Sequence, residues 1–312
     1  MAKKGSQIDE WIQRYLKDEE PRSKSLMISV FGDSISPYAE GIWLGDFIEL
    51  LAPLGLNERL VRTSAFRLID EGWLCARREG RRSYYTLTTT GMRRFESAYS
   101  HIYTAPLDSW DGTWTVVLLP RSGEVSADRA ELKRELEWSG FASPTPGLLL
   151  HPTVPATDVR VMLDRYGLQE QVVVMSARTV EESGHELGNS LLSRCWDLGE
   201  VEARYERFLS AFAPLEARVE AVTLTPLQAF QVQTLLIHSF RRVNLHDPRL
   251  PLPMLPTEWP GLRAYQLCRK LYARTHALTL RHLRSLPGLD VTDIRGGRLK
   301  MPVGQRFGGL PT

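Results

Sequence analysis

Residues 43 to 87, WLGDFIELLAPLGLNERLVRTSAFRLIDEGWLCARREGRRSYYTL, constrain this chain most tightly. An apolar helix over 43 to 52 has to stop at Pro53, Leu54-Gly55 makes a short turn, and Asn57 caps a second helix over 58 to 71. Gly72 ends that helix, Trp73 to Arg77 reads as a strand, Glu79-Gly80 as a turn, and Ser83 to Leu87 as the returning strand. Helix, tight turn, helix and hairpin in this order predict a winged helix-turn-helix.

On the second helix, a 100° rotation per residue puts Val61, Ala65, Leu68 and Ile69 on one stripe and Arg59, Thr63, Phe66 and Asp70 on the opposite one, with Arg62 and Arg67 flanking. Arginine forks can pair with guanine O6 and N7, and a hydroxyl or an exposed ring suits other base edges and the thymine methyl. Around the hairpin tip stand Arg77, Arg78, Arg81 and Arg82 with Tyr84 and Tyr85 behind, types that meet phosphates or a minor groove. The competing reading is a solvated hairpin beside ordinary helix packing. Since the formal net charge of the 312 residues is only +2, affinity for nucleic acid has to come from this local cluster.

Three cysteines, Cys75, Cys195 and Cys268, stand far apart with no CxxC pair and no histidine at ligand spacing, so neither a disulfide framework nor a metal site is expected. No stretch is apolar enough for a membrane span, and the start carries no cleavage-like site; the expectation is a soluble cytoplasmic protein. Residues 1 to 24 read as an N-terminal arm, SLMISVF as strand-like, and Gly32-Asp33-Ser34 as a turn rather than a phosphate loop.

Thr88 to Thr90 can cap a helix to Tyr103, and the run from Pro106 to Gly112 marks a boundary near 105. Beyond it strands at Trp114 to Leu119, Leu148 to Leu150 and Gln171 to Ala177 alternate with helices at Ser126 to Ser139 and Ala156 to Tyr166, with room near 141 to 146 for one more strand. That order fits a ferredoxin-like α+β sandwich with one sheet face free to pair. After it come a long helix or a broken pair over 186 to 213 closed by Pro214, a helix from Thr225-Pro226 to Arg241-Arg242, a proline-rich crossing, and a helix from Pro260 to His276. The expected organisation is an arm (1 to 24), a winged helix-turn-helix (25 to 105), a ferredoxin-like dimerisation domain (106 to 184) and an all-helical domain (185 to 312).

The runs FGDSIS, IWLGDF, LGLNERLVRTSAFRLIDEGWL, GRRSYY, WDGTW, HSFRRV, DPRLPLPMLPTEWPG and QRFGGL together resemble the PaaX family, bacterial repressors of phenylacetate degradation. The spacing RRV-x3-DP-x2-P-x3-LP-x2-WPG carries most of the specificity; the arm through residue 24 departs from the family pattern. What the resemblance implies is a homodimer that occupies a near-palindromic operator until phenylacetyl-CoA lowers its affinity for DNA. Such a thioester needs cations for its phosphates and an apolar or aromatic slot, which directs attention to His238, Arg241, Arg242, Arg249, Trp259 and Arg263. The opposing reading makes Trp259 a packing anchor and pairs the arginines with acids such as Asp247.

No catalytic residue and no cofactor is expected. His246-Asp247 lacks a nucleophile, and the first central strand runs into Pro120-Arg121 without an acid, which disfavours a metal-dependent nuclease. The alternatives to a ligand-released repressor are a nuclease or acyl-CoA-processing enzyme built on the central or C-terminal part, and an adaptor whose winged helix binds protein.

Overall fold

A computed structural model describes residues 2–119, 126–178, 195–291 and 302–310, with the side chains of residues 2 to 6 excepted. The fold is mixed α and β, with long helices and two antiparallel sheets. The chain divides into two compact units. One gathers Met1–Ala105, Glu206–Leu245 and Arg263–Thr312; the other gathers Pro106–Tyr205 and His246–Leu262.

In the first unit, α1 (Ala2–Glu19) is a helix where the sequence reads as an arm. Its Ile8, Trp11, Ile12 and Tyr15 are buried, and the Trp11 and Tyr15 rings pack on Phe212. The spacing of those four side chains is that of a helix stripe, which the polar residues between them obscured. The SLMISVF run also corrects its expectation: α2 (Ser23–Val30) is a helix, not a strand. Leu26, Met27, Ile28, Ser29 and Val30 are all buried, and a continuous apolar run looks the same in a helix covered on every side as in a buried strand. A π turn over Phe31–Ile35 follows without a break, so Gly32-Asp33-Ser34 is interior helical backbone rather than a surface turn.

The next elements are β1 (Gly41–Trp43), α3 (Leu44–Leu51), a 3-10 turn (Ala52–Leu54) and α4 (Glu58–Asp70). Gly55 closes the 3-10 turn at φ +85, a left-handed geometry that a side chain would strain. Asn57 caps α4 as expected, its Oδ1 accepting from the Leu60 N–H at 3.0 Å. The α4 face turned inward is Val61, Ser64, Ala65 and Leu68. Ser64 takes the place the periodicity gave to Ile69, because its hydroxyl meets that of Ser23 on α2 at 2.8 Å, leaving Ile69 36% exposed.

Strands β2 (Leu74–Glu79) and β3 (Arg82–Leu87) form the hairpin, and β1 adds to the β3 edge in the order β1-β3-β2. Helix α5 (Thr89–Tyr103) starts on a Thr88 cap whose Oγ1 accepts from the Gly91 N–H at 2.8 Å.

The second unit holds β4 (Thr113–Leu118), α6 (Ala127–Trp138), β5 (Ala142–Thr145), β6 (Leu148–His151), α7 (Ala156–Tyr166) and β7 (Val173–Arg178). The β-α-β-β-α-β chain order gives an antiparallel sheet ordered β5-β6-β4-β7. One sheet face buries Val117 and Leu149 against Leu132, Leu136, Val159 and Leu163 of the two helices. Each fully buried leucine there is worth about 2 kcal/mol of transfer free energy. The opposite face is covered at Trp114 and Leu150 by Trp196 and Leu250, while Leu118, Val173 and Met175 stay 37%, 47% and 42% exposed.

Helix α8 (Leu198–Glu220) runs through Pro214, where the sequence predicts its end. Phe208, Phe212 and Leu215 are buried on both sides of the proline, so packing outweighs the lost backbone bond. The start of the expected 186 to 213 helix falls largely outside the described residues. Helix α9 (Pro226–Asn244) begins in a Thr225 and Gln228 capping box, and α10 (Pro260–Arg284) continues past His276. No described helix is long and apolar enough to cross a membrane.

Candidate nucleic-acid interface

The outward surface of α4 carries Arg59, Arg62, Thr63, Phe66 and Arg67, all exposed. Phe66 is 72% exposed, the most open of the large apolar side chains among the described residues. The guanidinium groups differ in how much they are already engaged. Arg62 pairs with Glu58 one turn earlier at 2.7 Å, whereas Arg59 and Arg67 make no ion pair among the described residues. Thr63 turns its hydroxyl back to the Arg59 carbonyl at 2.9 Å.

On the hairpin, Arg77 pairs with Glu79 at 2.8 Å and lies 5.7 Å from the Tyr84 ring centroid. Arg82 stacks over Trp43 at 4.5 Å, with Asp46 at 3.8 Å. Among the described residues Arg78 and Arg81 make no ion pair, and both flank Gly80, whose φ of +59 builds the tip. Because these surface pairs are each worth only about 0 to 1 kcal/mol, Arg62 and Arg77 can exchange their acid for a phosphate at little loss. Tyr84 leans on Trp43 at a centroid separation of 5.0 Å, and burial raises its phenol above the ordinary value. The ten residues singled out on the helix and hairpin thus lie on one continuous stretch of chain, Arg59 to Tyr84, within one unit.

Sequence reasoning missed the support beneath Arg82. Asp46 is nearly buried on α3, and its Oδ2 has no hydrogen-bond partner. Gly288 closes over it so tightly that an added Cβ would sit 2.7 Å from the carboxylate carbon. An acid two residues after the α3 start reads in the sequence as a helix-dipole residue, which hid this role.

Of the six residues considered for the thioester, His238, Arg241, Arg242 and Arg263 fall in one unit and Arg249 and Trp259 in the other. His238 is buried in α9 with Nδ1 3.0 Å from the Ser29 hydroxyl, and burial with the nearby Arg241 and Arg242 charges depresses its pKa to about 3. Arg241 donates to Ser29 Oγ at 3.1 Å and to Ser25 Oγ at 2.7 Å, and burial brings even its guanidinium down to about 10. Arg242 and Arg263 are exposed, Arg263 facing Glu206 at 3.4 Å.

Arg249 and Trp259 belong to the other unit. There Trp259 is buried edge-on to Tyr205 at 6.0 Å. Asp247 accepts from the Tyr205 hydroxyl at 2.5 Å and from the Arg249 N–H at 2.6 Å, and burial raises its pKa. Arg249 adopts a left-handed φ of +56, strained for a residue with a side chain. Among the described residues no group of three or more His, Cys, Asp or Glu could hold a metal ion.

Comparison with known proteins places the whole chain. Three family models match in succession: a PaaX-like protein model over residues 22–91, the PaaX central Cas2-like domain over 107–187 and the PaaX-like C-terminal domain over 196–285. The transcriptional repressor PaaX of Escherichia coli strain K12 is 38% identical over 308 residues, covering 98% of this chain and 96% of that protein. The chain belongs to the PaaX family. Among solved structures, an uncharacterized protein from Mycobacterium tuberculosis covers 76% of this chain and 91% of its own at 22% identity and a TM-score of 0.43, a likeness too loose to bear on function.

Two features of this PaaX-family chain lie outside the three matched stretches. Helix α1 is one. The other is the C-terminal Arg306, fully buried against Asp33.

Proposed function

We propose that this chain is a DNA-binding transcriptional repressor of phenylacetate catabolism genes, in which α3, the 3-10 turn, α4 and the β2-β3 hairpin act as a winged helix-turn-helix. The observation that carries the proposal is the outer stripe of α4, where Arg59, Thr63, Phe66 and Arg67 stand exposed beside a hairpin tip bearing Arg78 and Arg81. The kinship with a protein named as a transcriptional repressor supports the same reading. In this reading α4 enters the major groove, Arg67 and Arg62 contact base edges, and the hairpin arginines hold phosphates.

The repressor is a homodimer that pairs through the free face of the β5-β6-β4-β7 sheet, where Leu118, Val173 and Met175 offer apolar surface. Two α4 helices then read half-sites of opposite orientation separated by whole turns of the duplex. Phenylacetyl-CoA is the releasing ligand, and Arg242 and Arg263 are the exposed cations of the first unit to test against its phosphates. A ligand that favours the non-binding geometry by about 1 to 3 kcal/mol weakens the operator complex about 5- to 150-fold.

The test is fluorescence anisotropy on a promoter fragment of phenylacetate catabolism genes, titrated with and without the thioester. Tight, sequence-dependent binding that weakens within that range is the expected result. Unchanged affinity at saturating thioester removes the effector, and binding blind to sequence removes the repressor.

A further inference from the structure

Arg306 lies on a short C-terminal turn, Val303–Gly308, and its side chain is fully buried. Its Nη1 donates to Asp33 Oδ1 at 2.9 Å, to the Asp33 carbonyl at 3.3 Å and to the Tyr272 hydroxyl at 2.5 Å. The receiving pocket is complete without it. Asp33 Oδ1 already accepts from the Tyr103 hydroxyl at 2.6 Å and the Tyr272 hydroxyl at 3.0 Å, and Oδ2 from Gln233 Nε2 at 2.7 Å. These neutral donors, with Ser34 Oγ more distant at 3.5 Å from Oδ2, orient a buried carboxylate, and among the described residues it is the guanidinium that brings an opposite charge to it.

The walls are aromatic. The Arg306 guanidinium carbon is 4.3 Å from the Tyr103 ring centroid and 5.3 Å from that of Tyr99, and Phe307 packs on Tyr103 and Tyr272. Among the described residues the guanidinium is held through Nη1, while Nε and Nη2 are buried with no hydrogen-bond partner there. Phe307 meanwhile sits at φ +55, a left-handed geometry that costs any residue with a side chain. A fork with most of its donors idle, on a strained turn, is the chemistry of a docked segment rather than of a permanent core residue.

The pocket joins the two elements that frame the surface described above. Asp33 is continuous with α2, which is fastened to α4 by the Ser23 and Ser64 hydroxyls and by Lys24 on Glu71 at 2.6 Å. Tyr99 and Tyr103 belong to α5, which leaves the hairpin directly through Thr88. We propose that this pocket is a guanidinium site for the chain's own C-terminal segment, and that its occupation by Arg306 holds α2 and α5, and with them α4 and the hairpin, in the geometry that grips DNA. The second half of that statement rests on the DNA-binding reading; the first does not.

The experiment uses the full chain carrying Arg306→Ala and a fluorescent peptide of residues 302–310. The peptide should bind the variant saturably and wild type at least about tenfold more weakly, since there the chain's own segment fills the site. Operator affinity of the variant should fall about tenfold and return on adding unlabelled peptide, a coupling inside the usual range, while a peptide carrying the same Arg306→Ala change should do neither. A peptide that binds neither protein overturns the site. Peptide binding without any change in operator affinity overturns the coupling.

If Arg306→Ala does not fold, Phe307→Ala removes the ring packed on Tyr103 and Tyr272 and so weakens the segment's hold on the pocket; labelled peptide should then bind this variant more tightly than wild type and unlabelled peptide should restore the operator affinity it loses, and a variant that takes up no more peptide than wild type overturns the site. Should wild type fail to bind operator DNA at all, the repressor reading falls, and the peptide titration alone still decides the docking site.

Discussion

Removing Arg78 and Arg81 together tests the hairpin's part in DNA binding with a number attached. Both flank the tip at Gly80 and make no ion pair among the described residues, so neither has to leave an acid to reach a phosphate. Arg77 and Arg82 by contrast start from Glu79 and from Trp43 with Asp46. The proposed dimer would present two hairpins, so the double variant would delete four cations from the complex. Each neutralised phosphate contributes about 0.9 to the slope of log affinity against log salt, which makes the variant's slope shallower by about 3.6.

Over a rise from about 50 to 200 mM salt, wild type should therefore lose about 150-fold more affinity than Arg78→Ala/Arg81→Ala. Anisotropy titrations at four or five salt concentrations measure it. The ratio of specific to scrambled-site affinity should barely move, because phosphate contacts position without reading sequence. A slope equal to wild type, or a collapse of the specificity ratio at an unchanged slope, would refute the phosphate role.

Two other consequences are open to measurement. Burial holds His238 at about 3 and His276 at about 4, against 6.5 for a solvated histidine, so both stay neutral in the folded chain while the unfolded chain takes up protons below 6.5. Their stability is whole above pH 6.5 and drains as pH falls, by about 2 kcal/mol per histidine at pH 5; urea unfolding at pH 7.5 and 5 should show it, and a His238→Gln chain with an undiminished pH difference would contradict it. On the exposed part of the sheet face, Met175→Glu should convert the proposed dimer to a monomer by light scattering, while thermal melting at a concentration low enough for wild type to be monomeric too stays within about 0.5 kcal/mol of wild type, because the side chain is exposed in the single chain; a dimer that persists means the pairing surface lies elsewhere.

The helix and hairpin elements were legible because each boundary has a local chemical mark: Asn57 and Thr88 as caps, and Gly55 and Gly80 as left-handed turns. The central strands and helices were legible for the same reason, down to the extra strand at Ala142–Thr145. What stayed hidden depended on partners far along the chain. The run Leu26 to Val30 is a helix whose neighbours cover every side of it, and α1 joins a core through residues some 200 positions away: Phe212 against Trp11 and Tyr15, Ala211 accepting the Trp11 indole N–H, and Gln228 donating to Asp9. Asp33 and Arg306 each sat in a motif that was noticed, but a lone acid and a lone arginine carry no sign of each other across a sequence separation of 273. His238 and Arg241 carry chemistry that suits a ligand, and their contacts with the serines of α2, more than 200 residues earlier, have no mark in the sequence.

The most direct measurement is the affinity of wild type and of Arg67→Ala for a fragment of a phenylacetate catabolism promoter and for the same fragment scrambled, at one fixed salt concentration. A sequence-reading α4 predicts a wild-type preference of at least about a thousandfold, cut by about 1 to 3 kcal/mol when the Arg67 fork is removed. Equal affinity for both fragments, in wild type as in the variant, would contradict it.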